Sequence, residues 1–213
     1  MKISSLPRKV RRNVQDCGLL TTFKKAVQYL FSAIYEQRVY RLYKIDTALD
    51  RKGGEIDQKI TFRWLRETDD DLIRQIVRMA EWFAGELKPK ISKGSLCLVA
   101  VDGPKVAGFN LVSTGQVYIP LIRKARTFRP NQAWSEHIAV HKDYRRMGLG
   151  SELRARILRE LKARAIRRLY GGTLVSNEAA LKLTRSVGFV EFVDVHYKRA
   201  LGRELWRYQK VRR

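Results

Sequence analysis

The spacing of hydrophobic residues changes character near residue 59. Before it, Leu19, Phe23, Val27, Leu30 and Ile34, continued by Val39 and Leu42, recur three to five positions apart, close to one face of an α-helix. Lys24, Lys25, Gln28, Arg38 and Arg41 supply the polar side, and Arg8, Lys9, Arg11 and Arg12 form a basic cluster ahead of it. The pattern predicts an amphipathic helical extension over 19–43. Asp50–Gly54 then reads as a linker, dividing residues 1–58 from residues 59–213.

From residue 59 the periods alternate. Ile60–Leu65 reads as a strand, and the acidic Thr68–Asp71 opens a helix through Leu72, Ile73, Ile76, Val77 and Ala80, with negative charge at the positive end of its dipole. Leu96–Val101 and Val106–Val112 flank Asp102-Gly103-Pro104-Lys105, a hairpin turn. Gly115–Gln132 is basic and interrupted by proline, and predicts no element. Trp134–Val140 reads as a strand. Leu149, Leu153, Ile157 and Leu161 fall every fourth residue and predict a helix over 149–165. A strand over 169–175, a helix over 177–186 ended by Gly188, and two last strands over 190–198 and 203–211 complete the order. The fold class is α/β (α+β): a mixed central sheet of about six to seven strands flanked by about four helices, with the N-terminal helical extension.

Charge adds a constraint on partners. The 213 residues carry 44 Lys and Arg against 21 Asp and Glu, a formal +23. Such a field favours nucleotide phosphates, RNA, acidic lipid headgroups or an acidic carrier protein. It disfavours a polycationic substrate such as a polyamine, and an anionic amino sugar, a nucleotide-linked sugar or an acidic peptide end is easier to accommodate. No RNA-binding motif accompanies the charge, so nucleic acid is not the expected partner. Cys17 and Cys97 form no paired motif, Cys97 sits in an apolar run as a small hydrophobe, and His137, His141 and His196 fall in no metal-site spacing. No metal is expected. No run of apolar residues is long enough to span a bilayer, and no secretory signal is apparent, so a cytoplasmic location is expected. The aromatic and basic residues of 19–43 are also compatible with packing on the rest of the chain, docking on another chain, or lying on an anionic inner membrane surface.

Candidate chemistry concentrates at Ile138–Ser151. A strand runs into a loop with Gly148 and Gly150, and a long helix follows at once. The start of such a helix leaves backbone N–H groups unpaired, and glycines let a phosphate approach them. These residues suggest an anion site, but a short Gly-x-Gly alone equally suits a plain strand-to-helix turn.

Arg145-x-x-Gly148-x-Gly150 resembles the signature of the GNAT superfamily of N-acyltransferases. Asn177-x-x-Ala180-x-x-Leu183-Thr184-x-x-x-Gly188-Phe189 is similar to that family's second motif. The resemblance covers about residues 59–213. It implies transfer of an acetyl or other acyl group from acetyl-CoA, or another acyl-CoA, to a primary amine of a small molecule or protein, with an acyl carrier protein as another conceivable donor. It implies that the amides of Arg146, Met147, Gly148, Leu149, Gly150 and Ser151 cradle the coenzyme A pyrophosphate. Ile138, Ala139 and Val140 would run beside the pantetheine arm at a splay between strands, and Asn177 would contact that arm. Arg145, with Arg154 or Arg156, would attract the adenosine phosphates, while Arg156 and Arg159 also suit a solvated helix face.

The proton must leave the ammonium before the nitrogen attacks. Glu136, where the family places a base, is the first candidate, and His137 the second, on the opposite sheet face by strand alternation. Asp143, His141 and solvent remain open. Thr184 departs from the family pattern, which has a tyrosine there to protonate the leaving thiolate. Threonine is a far poorer acid than a phenol, so Tyr144, Tyr118, Tyr197 or an unaided thiolate are the alternatives. Two other readings compete with catalysis: an acyl-CoA-binding module without turnover, and an RNA- or ribosome-associated basic protein. The acceptor pocket is expected from Gly115–Gln132 and Val193–Arg203.

Overall fold

The structure, a computed structural model, describes residues 35–49, 53 and 56–211. Ten strands and four α-helices are found among them. The strands are β1 (Tyr35–Asp46), β2 (Ile60–Trp64), β3 (Leu96–Asp102), β4 (Lys105–Ser113), β5 (Gln116–Ile119), β6 (Lys124–Thr127), β7 (Gln132–Val140), β8 (Arg168–Leu174), β9 (Val190–Ala200) and β10 (Arg203–Lys210). The helices are α1 (Asp70–Met79), α2 (Leu87–Ser92), α3 (Leu149–Ala163) and α4 (Glu178–Val187). Eight strands form one mixed sheet in the order β10-β9-β1-β8-β7-β4-β3-β2, and β5 and β6 form a separate ribbon. This is the expected α+β class, with one strand more in the main sheet than the seven the sequence pattern predicts.

The additional strand is β1. Tyr35–Asp46 overlaps the segment read as helical as far as Tyr43, but it is extended and pairs antiparallel with β8 from Tyr40↔Leu174 to Asp46↔Arg168. Tyr35, Val39, Tyr40, Tyr43 and Ile45 are aromatic or β-branched and favour a pleated surface. Val39 and Leu42 fell on the helical spacing by coincidence. Arg41, read as polar helix surface, instead bonds Asp194 at 2.7 and 2.8 Å and Glu191 at 2.9 Å. Residues 19–34 of the expected helix, the basic cluster and Cys17 lie outside the described residues.

The described chain falls into two compact units. The larger comprises Tyr40–Val195 with residues 209–211 and holds every residue of the candidate site. In the smaller, built from residues 35–39 and His196–Tyr208, Glu36 pairs with Arg38 at 2.6 Å and Arg199 at 3.3 Å, and Tyr197 donates to Glu204 at 2.7 Å.

In the larger unit, helices cover both faces of the sheet. On one face Leu149, Leu153, Ile157 and Leu161 of α3 pack with Val187 and Phe189 on Tyr43, Ala133 and Leu169. On the other, Leu72, Ile73 and Ile76 of α1, with Phe83 and Leu87, pack on Val99, Phe109 and Leu111. Strands β3 and β4 are therefore apolar on both faces, and their near-continuous hydrophobic runs follow from that double cover. Fully burying one such Leu or Ile side chain contributes about 1.5–3 kcal/mol. Gly115–Gln132, unassigned from sequence, forms the β5–β6 ribbon across a single turn of 3₁₀ helix at Pro120–Ile122, and Val117 and Ile119 bury their side chains there. Among the described residues, no helix is long and apolar enough to cross a membrane.

Candidate active site

Strand β7 opens the site. It pairs with β4 as far as Gly108↔Val140, but its parallel ladder to β8 covers only Gln132↔Arg168, Ala133↔Leu169 and Trp134↔Tyr170. Beyond Trp134 the two strands part, so the β8-facing edge of Ser135–Val140 borders a cleft. Ile138, Ala139 and Val140 lie along it.

At the end of β7 the backbone turns sharply. Tyr144 N–H donates to His141 O at 2.9 Å, and Arg146 and Gly148 then take positive φ of 63° and 73°. A left-handed residue with a Cβ costs roughly 1–2 kcal/mol, so the turn holds Arg146 at some expense, while glycine meets the same demand at 148 freely. Alternation of left- and right-handed residues turns successive N–H groups toward one concave side. Glu152 N–H makes the first bond of α3, to Gly148 O at 3.1 Å. Among the described residues, the amides of Arg146, Met147, Gly148, Leu149, Gly150 and Ser151 donate to no backbone carbonyl. They converge at the positive end of a 15-residue helix. Beside this turn lies a depression of about 450 Å³ lined by Arg78, Lys105, His141, Lys142 and Arg145. Arg145 also donates to Val140 O at 3.2 Å, which fixes its side chain over the strand end.

Deeper in the cleft is a cavity of about 350 Å³ lined by Tyr43, Trp134, Glu136, His137, Arg154 and Asn177, with Ile119, Pro120 and Leu121 of the ribbon contributing apolar wall. Gly172 of β8 also lines it. A Cβ there would sit 2.7 Å from Leu42 Cδ2 and 3.3 Å from Trp134, so any larger residue would have to displace the Leu42 side chain.

Glu136 and His137 do not occupy opposite faces, contrary to the alternation expected from sequence. Leu111 pairs with His137 while Val112 pairs with Ser135, which leaves Glu136 as the extra residue of a β-bulge. Ser135 then points to α3, and both Glu136 and His137 point to the α1–α2 side. Glu136 Oε2 accepts from Lys90 Nζ at 2.8 Å, and its other oxygen accepts from Ser113 Oγ. The His137 ring lies 5.5 Å from both Phe83 and Phe109. Burial, and secondarily the positive charge of Arg154, push its imidazole down to about 4.

Other candidates are placed as follows. Thr184 is buried on α4 and its Oγ1 donates to Ala180 O at 2.7 Å, so its proton is committed within the helix. Asn177 caps α4, its Oδ1 accepting from Ala180 N–H at 3.1 Å, and it also lines the cavity. Tyr144 donates to Asp102 at 2.8 Å, and Tyr118 is exposed on β5. Arg156 and Arg159 pair with Glu152 at 2.6 and 3.3 Å, and Arg156 stacks on Phe62. Arg154 is unlike either. Instead of reaching toward the turn it is 2% exposed, and its Nη1 donates to Ser135 Oγ at 2.5 Å. Burial holds it below the ordinary arginine range. Cys97 is buried, and burial raises its thiol out of the reactive range.

Sequence reading missed Tyr43, Lys90 and Ser135 as parts of this site, and it assigned Arg154 to the adenosine phosphates, whereas its buried side chain lines the cavity. A lysine on a short helix and a serine in a strand carry no signal of their own. Tyr43 was hidden by the helical reading of its segment, and the burial of Arg154 by its resemblance to its exposed neighbours.

The sequence profile of the acetyltransferase (GNAT) family matches residues 55–189, well over half of the chain. No protein of curated function matches. Among solved structures, the chain resembles an aminoglycoside acetyltransferase from an uncultured soil metagenomic sample, at 19% identity and TM-score 0.51, over 63% of this chain and 90% of that one. It resembles a tandem GNAT protein from the clavulanic acid biosynthesis pathway at 14% identity and TM-score 0.58, over 86% and 57% of the two chains. A GCN5-related N-acetyltransferase from Sphaerobacter thermophilus matches at 15% identity and TM-score 0.56, over 89% and 57%. The present chain thus spans little more than half the length of the last two. At these identities the likeness is one of fold, and it agrees with the profile match and with the cleft and turn found here: the chain belongs to the GNAT family of acetyltransferases.

Proposed function

We propose that this protein transfers an acetyl group from acetyl-CoA to a primary amine. The observation that carries the reading is the row of backbone amides from Arg146 to Ser151, free of backbone partners and converging at the end of an open cleft. Such a row fits a diphosphate, whose oxygens accept several N–H bonds at once. The cations Arg78, Lys105, Lys142 and Arg145 beside it suit the remaining phosphate charge. The unpaired edge of Ile138–Val140 suits an extended amide-bearing arm. Acetyl-CoA supplies an activated acyl carbon and a thiol leaving group.

The chain's own residues divide the remaining work. Lys90 and Ser113 hold the Glu136 carboxylate in one orientation at the cavity, where it takes the proton from the acceptor ammonium, directly or through water. His137 stays neutral and keeps the wall between Phe83 and Phe109 apolar. Tyr43 is the phenol on this cavity, and its Oη is the proton donor that Thr184 cannot be.

Calorimetric titration of acetyl-CoA into the wild-type chain and Gly148→Glu tests the reading. A side chain at φ 73° both strains the turn and crowds the amides with negative charge. Binding should weaken by roughly a hundredfold, about 2.7 kcal/mol. Equal affinity for both chains would remove the basis of the assignment.

A further inference from the structure

We infer that the cavity between β7 and β8 takes a carboxylate, with Arg154 as its counter-ion. The inference rests on the acetyltransferase reading and narrows its substrates to those bearing an acidic group near the reacting atoms.

Arg154 is the reason. It is 2% exposed, lines the cavity, and among the described residues pairs with no carboxylate. Around it lie the Ser135 hydroxyl at 2.5 Å, the ring of Phe189 at 5.2 Å from the guanidinium carbon, and the phenol of Tyr43. A hydroxyl, a benzene ring and a protonated phenol carry no formal charge. A buried ion without compensation costs several kcal/mol, and an apolar side chain of similar volume would fill the same space without that cost. Glu136 lines the same cavity but is bonded to Lys90, so that pair contributes no net charge and Arg154 leaves the cavity positive. A guanidinium offers five N–H groups in a planar fork, and Ser135 engages Nη1 alone. The geometry such a fork meets best is a carboxylate held by two parallel bonds.

The carboxylate can come from the far end of a dicarboxylic acyl donor or from the amine acceptor. Two pairs of probes separate the sources. In the first, succinyl-CoA and butyryl-CoA are titrated calorimetrically into wild-type protein, Arg154→Met and Arg154→Lys. In the second, release of free thiol from acetyl-CoA is followed with amino acids and with the corresponding amino acid amides. In one arm the wild type should prefer the carboxylate by at least tenfold. Arg154→Met should erase that preference, and Arg154→Lys should keep part of it. A wild type indifferent to the carboxylate in both arms would overturn the inference, and this comparison needs no variant. So would a preference that survives in Arg154→Met. Failure of acetyl-CoA itself to bind the wild type would instead refute the acetyltransferase reading on which the inference stands.

Discussion

Lys90 Nζ lies 2.8 Å from Glu136 Oε2 and ties the short helix α2 to the bulge in β7. The glutamate side chain is only 5% exposed, and an extra residue at this one position turns it to the same side of the sheet as His137. A regular strand would have sent one of the two into the α3 core. The bulge therefore decides which pair of titratable side chains the cavity presents.

Glu136→Gln keeps the shape and an amide oxygen that can still accept from Lys90, but its NH2 cannot accept the Ser113 bond and the side chain cannot take a proton. Acetyl-CoA affinity should stay within about twofold, while kcat falls by about 10²–10⁴, the usual worth of a positioned base. Thiol release at saturating acetyl-CoA measures the fall. A variant as fast as the wild type would exclude Glu136 as the base.

Thr184 and Tyr43 make a contrast. Thr184→Val removes a hydroxyl already spent on Ala180 O, so turnover should hold within about twofold and stability within about 1 kcal/mol. Tyr43→Phe should lower kcat by about tenfold or more with the fold intact, as loss of a general acid does. Turnover measured for both variants at one saturating substrate concentration separates the two residues. The assignment fails if the valine is the slower of the two.

His137 gives a stability signature in acid. Its folded value is about 4, below its ordinary value of 6.5, because burial disfavours the charged ring. A buried neutral histidine contributes fully above the unfolded value, and that contribution is lost as pH falls from about 6.5 through 4. The loss is on the order of 2–3 kcal/mol. Urea unfolding at pH 7.5, 6 and 4.5 should show it in the wild type, and His137→Leu should show a shallower decline. Parallel profiles would contradict this placement of the ring.

The architecture from β2 to α4 was legible because its periods are strong. Leu149, Leu153, Ile157 and Leu161 repeat every four residues, and Asp102–Lys105 is a turn by composition. The turn with free amides ahead of α3 was legible because two glycines and an abrupt helix start leave amides without backbone partners. The rest depends on partners distant in sequence. Tyr35–Asp46 is a strand because β8 lies beside it, and its aromatic residues had no such neighbour in the sequence pattern. The bulge at Glu136 exists only as a register shift against β4. Arg154 differs from Arg156 and Arg159 because it is one helix position that faces the core, and a run of arginines every two or three residues does not mark which of them turns inward.

The account rests on main-chain nitrogens at the start of α3 receiving a diphosphate, and ¹⁵N–¹H correlation spectra during titration with coenzyme A observe those nitrogens directly. The largest shifts should fall on the amides of Arg146 through Ser151, with smaller ones along Ile138–Val140. Binding that leaves the 146–151 amides unmoved, or no binding at all, would contradict the account.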